Sequence, residues 1–238
     1  MLDEKLAGVL DRIAASKSVI ELKGVIDLLR SEYKIANIAY HAISIPLCEE
    51  ANPILILTYE DEWVKRYIER DYFTIDPIVA AGRRGFLPID WAKVDRTSPE
   101  TQKFFREAEA YHVGRQGVTL PIRGPAGERA LFTLTSYLDD AEWQVRRLGF
   151  MRDFQLIGHF VHDRAVGLSG YRDKCPALSR REAQCLERIA AGRHVKQIAS
   201  ELDLSVSAVQ LYLRSARHKL RCSSNAEAVV KAARTELL

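Results

Sequence analysis

The stretch that most restricts what this chain can fold into is "LSRREAQCLERIAAGRHVKQIASELDLSVSAVQLYLRSARHKL", residues 178–220. Its helix start and stop signals lie so close together that only short helices and tight turns fit. Ser179, followed three residues later by Glu182, has the capping-box pattern and predicts the start of a first helix. Ala191-Gly192 predicts its end, glycine serving as the stop. "VKQIASEL" reads as a second helix and "VSAVQLYLRSARHKLR" as a third, separated by the three residues "DLS"; a fourth follows in the remaining tail. Two helices joined by so short a turn make a helix-turn-helix, a motif whose second helix lies in the DNA major groove.

Charge tests that reading. Residues 177–238 hold 11 Lys/Arg against 6 Asp/Glu, a net of +5, whereas residues 1–176 hold 24 against 26, a net of −2. A basic excess confined to the last quarter points to a polyanion partner. Between Ser205 and Arg221 stand Arg214, Arg217, Lys219 and Arg221, with no acid among them. A helix that only covers a core mixes signs on its wet face, so a plain solvated helix is the lesser alternative. Several Lys/Arg on phosphates would make binding fall steeply with salt.

Upstream, the pattern changes. Leucines and isoleucines recur at helical spacing through most of 3–33. "IANIAYHAISI" (35–45) and "PILILTY" (53–59) are apolar and β-branched, as strands are. Residues 60–70 read helical. Asp76 is a good N-cap and Pro77 suits a first helical position, so a helix is expected from 77. "SPETQKFFREAEAYHV" (98–113) predicts another helix. "GVTLPIR" and "RALFTLTSY" predict a hairpin about Gly124–Gly127. Residues 139–166 predict a long helix whose Trp143, Phe150, Phe154, Ile157 and Val161 fall at threes and fours. "GLSGYRDKCPA" (167–177) breaks the pattern and reads as a linker. The expected layout is an α+β domain over 1–166, an antiparallel sheet sandwiched by helices, then a linker over 167–176. An all-α four-helix helix-turn-helix domain follows over 177–238.

Composition excludes several classes. The chain is 238 residues, 47% hydrophobic and 28% charged, which rules out disordered and collagen-like chains. No apolar run approaches the roughly 18 residues of a membrane span. The N-terminus has no basic segment followed by an apolar one, so no secretory signal is expected. Cys48, Cys175, Cys185 and Cys222 are scattered, which fits a reducing cytoplasm rather than a zinc or disulfide framework. The six histidines show no metal-ligand clustering, and no cofactor is expected. Hydrolase, zinc-protease and phosphate-loop motifs are absent from the sequence.

One further stretch, "YEDEWVKRYIERDYFTIDP" (59–77), raises a sharper question. Tyr59, Trp63 and Tyr67 fall four apart, and a carboxylate, Asp76, follows. Each buried ring removes about 150–250 Å² from water, roughly 4–6 kcal/mol at about 25 cal/mol/Å². Packing alone therefore suffices to explain the stripe, and helix capping suffices to explain Asp76. Buried Tyr and Trp also need partners for their polar atoms, and a buried carboxylate is costly unless paired. A wall around a small polar ligand is the second reading.

The C-terminal residues carry a resemblance. Leu178, Ser179, Arg181, Glu182, Leu186, Ala191, Gly192, Ile198, Ala199, Leu202, Ser205, Val209, Lys219 and Leu220 match the pattern of the LuxR-type helix-turn-helix. Two positions depart: Ala208 stands where the family has Thr, and Tyr212 where it has His. The resemblance implies base contacts from Gln210, Leu211 and Arg214, and phosphate contacts from Lys196, Ser207 and Arg217. A two-component receiver upstream of such a domain would open with a strand ending in paired acids, and this chain opens with helices.

The N-terminal residues also resemble a known pattern. Trp63 and Tyr67, Asp76-Pro77, Trp91, and Gly117 with Pro121 match in order and spacing the autoinducer-binding domain of quorum-sensing LuxR-type regulators. That resemblance implies an N-acyl-homoserine lactone as ligand. Asp76 would accept from its amide N–H, Trp91 would donate to the lactone carbonyl and Tyr59 to the acyl carbonyl. Thr133 would add a hydroxyl bond, with Thr135 as a weaker alternative, while Trp63 and Tyr67 wall the cavity. It further implies a homodimer on a two-fold double-stranded DNA operator, with the ligand controlling it, and no enzymatic activity. The alternatives are an orphan regulator answering a foreign or non-lactone signal, or acting without ligand, and a lactone hydrolase with Asp76 as base.

Overall fold

The computed structural model describes residues 2–46, 48, 52–171 and 177–238. The chain divides into two compact units, one N-terminal and one C-terminal. The N-terminal unit opens with α1 (Leu2–Ala15) and α2 (Val19–Tyr33). The helical spacing through 3–33 is thus interrupted. Ser16 turns its hydroxyl back onto the Arg12 carbonyl, and Ser18 caps α2 by accepting from the Glu21 N–H. Serines compete with the helix backbone in this way, and the apolar period does not register it.

Strands β1 (Asn37–Ser44) and β2 (Ile54–Leu57) follow, then helices α3 (Asp61–Glu69), α4 (Tyr72–Ile75) and α5 (Pro77–Arg84). The short strand β3 (Ile89–Asp90) runs into a 3₁₀ turn at Trp91–Lys93. After α6 (Pro99–Ala110) come β4 (Gln116–Arg123), β5 (Arg129–Ser136) and α7 (Asp140–Leu168). The five strands form one antiparallel sheet in the order β2-β1-β5-β4-β3. Side chains alternate faces along each strand. Ile38, Tyr40, Leu120, Phe132 and Leu134 pack with α1, α2 and α7 in the main core. Ala39, His41, Leu131 and Thr133 line a cavity with residues of α3 to α6. The expected sheet sandwiched by helices is the fold found.

Helix α7 runs two residues past the expected boundary at 166, and Ser169 ends it with its hydroxyl on the Val166 carbonyl. Residues 172–176 of the expected linker, with Cys175, lie outside the described residues.

The C-terminal unit has α8 (Arg180–Ala190), α9 (Val195–Glu201), α10 (Val206–Leu220) and α11 (Asn225–Arg234). The capping box of Ser179 and Glu182 forms as expected. Gly192, at φ 76°, makes the turn after α8. Leu186, Ile198, Val209, Leu213 and Leu220 make a small core of their own.

Candidate functional site

In the N-terminal unit, the aromatic stripe sits over the sheet. Trp63 is buried at the centre of a ring cluster with Tyr67, Tyr72, Phe104 and Tyr111. Tyr59 precedes α3 rather than belonging to it. Helix α3 is fastened to its neighbours by a polar tie: Arg66 grips Glu107 of α6 through two bonds, at 2.9 and 3.2 Å, and the Tyr72 hydroxyl donates to the same carboxylate at 2.7 Å. Two-point guanidinium–carboxylate contact fixes orientation as well as distance.

The rings do not fill the space beneath them. A cavity of about 100 Å³ remains between the sheet and α3 to α6. A trapped water needs roughly 10–15 Å³, so the space exceeds what one water occupies. Its walls are mostly apolar, and a few polar side chains converge on it. Tyr59, Trp63, Tyr67, Asp76, Trp91 and Thr133, the six residues singled out in the sequence, all line it.

Asp76 divides its two oxygens. Oδ1 accepts from the backbone N–H groups of Ile78 and Val79, at 2.7 and 3.3 Å, and so caps α5. Oδ2 accepts from the Tyr67 hydroxyl at 2.8 Å. The cap and the cavity anchor are therefore one residue. Burial pushes the Asp76 carboxyl up to about 6, although those three hydrogen bonds pull it back. Burial, and next the Asp76 charge, push the Tyr67 and Tyr59 hydroxyls above their ordinary range, so both remain donors. The Tyr59 hydroxyl has no hydrogen-bond partner among the described residues.

Trp91 has a partner within the protein. Its indole N–H donates to the Thr119 hydroxyl at 3.0 Å, and that hydroxyl pairs with Thr133 at 2.8 Å. Thr119 and Thr133 are directly opposite across β4 and β5. Gly117 explains how the indole lies so close to the sheet. A Cβ there would come within 2.4 Å of the Trp91 ring. Thr135, the weaker alternative, is fully buried and donates to the Val113 carbonyl. Thr119 was missed because a threonine inside an apolar run reads as a strand former. Phe104 and His41 were missed because strand register, a non-local property, brings His41 to the cavity, and tertiary packing brings Phe104.

In the C-terminal unit, Ser207, Gln210, Leu211 and Arg214 share one face of α10, Gln210 and Leu211 lying three and four residues after Ser207 and Arg214 three after Leu211, and all four are exposed. Val209, Leu213, Ala216 and Leu220 occupy the buried face of the same helix. Leu211 is 62% exposed. Lys196 of α9 is exposed and Arg217 half-buried, and among the described residues neither makes an ion pair; nor does Arg214. The charge argument needs one correction. Lys219 is not available to a phosphate, because its ammonium meets the buried Glu182 carboxylate at 2.8 Å. Burial pushes the Glu182 carboxyl up, but Lys219, Ser215 and the Ser179 N–H hold it at about 2.

A mostly apolar cavity with a few convergent polar groups, joined in one chain to a helix-turn-helix with an exposed basic residue, Arg214, on its second helix, defines a ligand-responsive DNA-binding protein. Residues 18–165 match the family model described as autoinducer binding domain, and residues 176–232 that described as bacterial regulatory proteins, luxR family. The chain is 52% identical over 204 residues to the transcriptional activator protein RaiR of Rhizobium etli, covering 84% of each chain. Its fold is similar to the crystal structure of Escherichia coli SdiA, with a TM-score of 0.72 at 19% identity, covering 100% of this chain and 99% of that one. It is also similar to the N-acylhomoserine lactone dependent LuxR family factor CepR2 from Burkholderia cenocepacia, with a TM-score of 0.55 at 19% identity over 68% and 95% of the two chains. The chain belongs to the LuxR family of quorum-sensing transcription regulators, built from an autoinducer-binding domain and a luxR-type helix-turn-helix. That family consists of regulators rather than enzymes, which sets aside the hydrolase alternative. Among the described residues no group of three or more His, Cys, Asp or Glu could hold a metal ion, and no helix is long and apolar enough to cross a membrane.

Proposed function

We propose that this regulator binds an N-acyl-homoserine lactone in the N-terminal cavity and, as a homodimer in the cytoplasm, binds a two-fold DNA operator. In this reading residues 1–166 are the ligand domain, 167–176 the linker and 177–238 the DNA-binding domain. The observation that carries it is the polar set on one apolar cavity. Asp76 offers an acceptor to an amide N–H, and the Tyr59 hydroxyl, without a partner among the described residues, is a donor for an acyl carbonyl. Trp91 and Thr133 sit where a lactone carbonyl could exchange with Thr119. Trp63 and Tyr67 supply the wall. Exposed Val145, Leu148, Leu156 and Phe160 along α7 support a second copy as partner. On α10, Gln210, Leu211 and Arg214 are the base readers of this proposal, with Ser207, Lys196 and Arg217 on phosphates.

A ligand that binds only the folded chain stabilises it by mass action, about 2.7 kcal/mol at 100 times its Kd. The test is the melting temperature of the full chain across a panel of acyl-homoserine lactones. A rise with at least one of them is expected. No rise with any, for protein that is folded by circular dichroism, would refute the lactone reading. It would favour the second reading, a regulator that answers a different signal or none. That reading has its own support, since Asp76, Trp91 and Thr133 all find partners within the protein.

A further inference from the structure

Thr119 and Thr133 mark one level of the sheet. Ala39 and Thr133 are paired across β1 and β5, and Thr119 sits opposite Thr133 on β4. Two residues along β1 is a second level, where His41 is paired with Leu131 on one side and Leu55 on the other. All three line the same cavity. His41 is the polar residue of an otherwise apolar layer, buried to 7% exposure, with Phe73 edge-on at 5.4 Å.

Its ring nitrogens have different surroundings. Nε2 meets the Asn52 carbonyl oxygen Oδ1 at 2.6 Å. An oxygen acceptor there puts the proton on Nε2 and leaves Nδ1 as an acceptor. Nδ1 has no hydrogen-bond partner among the described residues. Burial lowers the imidazole pKa below its ordinary value, and the Arg83 cation adds to this against the opposing Asn52 bond. The ring is therefore neutral at pH 7 and keeps its lone pair.

We infer that His41 is a specificity-determining residue that accepts a hydrogen bond from a hydroxyl on the distal part of the ligand's acyl chain. The inference rests on the lactone reading above and adds the class of chain to it. The two levels are about 7 Å apart, two residues at roughly 3.4 Å each, and both border the same cavity. A hydroxyl placed there pairs with Nδ1. A plain methylene would bury that nitrogen without a partner, and sites built to bond a hydroxyl reject analogues that lack one.

The probes are N-decanoyl-homoserine lactone and its derivatives hydroxylated at the sixth, seventh or eighth acyl carbon, with the matching ketones as controls. Affinities for the full chain are measured by isothermal titration calorimetry. One hydroxylated isomer is expected to bind about tenfold more tightly than the parent, equivalent to about 1.4 kcal/mol. It should also bind more tightly than its ketone, which cannot donate. In His41→Leu the preference should vanish, and in His41→Gln, which keeps an acceptor, part of it should return. The comparison among ligands on the unaltered protein stands even if a variant fails to fold. Binding of the lactones with no hydroxyl preference, or with a preference for the ketone, overturns this inference and leaves the lactone reading intact. Binding of none of them removes both.

Discussion

Replacing Gly117 by alanine should damage the N-terminal domain through a single methyl group. The added Cβ would lie 2.4, 2.7 and 2.8 Å from three atoms of the Trp91 indole. Carbon atoms prefer about 3.5–4.0 Å, so the ring would have to retreat by about 1 Å. Thr119 lies two residues along β4 on the same face as Gly117, so a retreat from the strand lengthens the Trp91–Thr119 bond from 3.0 Å towards 4 Å, beyond hydrogen-bond reach. Overpacking costs about 1–3 kcal/mol, and a buried indole N–H left without a partner about 1–3 kcal/mol more. The combined loss is about 2–6 kcal/mol. For a domain of 150–250 residues each kcal/mol moves the melting temperature by about 2–4 °C, so a fall of about 4–24 °C is expected. Differential scanning fluorimetry with tryptophan emission reports both the midpoint and the indole environment. An unchanged midpoint and an unchanged emission maximum would refute the close-packing argument.

Other outcomes follow from the same geometry. The Asp76 carboxyl is raised by burial to about 6, so its contribution to stability is complete below the ordinary carboxylate value and is lost as pH rises through about 6. Melting temperatures of wild type and Asp76→Asn, compared from pH 4 to 7, should diverge with the wild type losing ground; parallel curves would contradict it. Glu182→Ala should destabilise the C-terminal domain by about 2–4 kcal/mol, because Lys219, Ser215 and the Ser179 N–H lose their shared acceptor. Hydrogen exchange at α8 and α10 of the full chain is the measurement, and unaltered protection would count against the claim. Arg214→Ala should weaken operator binding and, if Arg214 also meets a phosphate, lower the slope of log K against log salt by about one; Gln210→Ala should instead relax preference at one base position. Electrophoretic mobility shifts over a salt series and a set of operator variants separate the two.

Much of the architecture was legible because its signals are local. Asp76-Pro77, the Ser179–Glu182 box and Gly192 are caps and stops that act within one turn, and each appears where the sequence put it. The helix break at Ser16–Ser18 was hidden by an apolar period that continues across it. Short elements such as α4 and β3 carry too few residues to show any period. The site was legible only as types of residue in order. Their partners were not, because they come from register and packing: Thr119 reaches Trp91 through the pairing of β4 with β3 and β5, and Glu107 reaches Arg66 across two helices. For the same reason Lys219 counted as a free cation in the sequence, although folding commits it to Glu182, 37 residues away.

The central claim is that Asp76 anchors the amide of a bound lactone while it caps α5. The most direct measurement is the affinity of Asp76→Asn and wild type for the lactone that most stabilises the wild-type chain, by titration calorimetry at pH 7. Asparagine retains an acceptor for the Ile78 and Val79 N–H groups but loses the charge that favours the ligand N–H. Charged hydrogen bonds contribute about 1.5–3 kcal/mol, so a loss of affinity of tenfold or more is expected, with the fold intact by circular dichroism. Equal affinities in the two proteins would contradict the account.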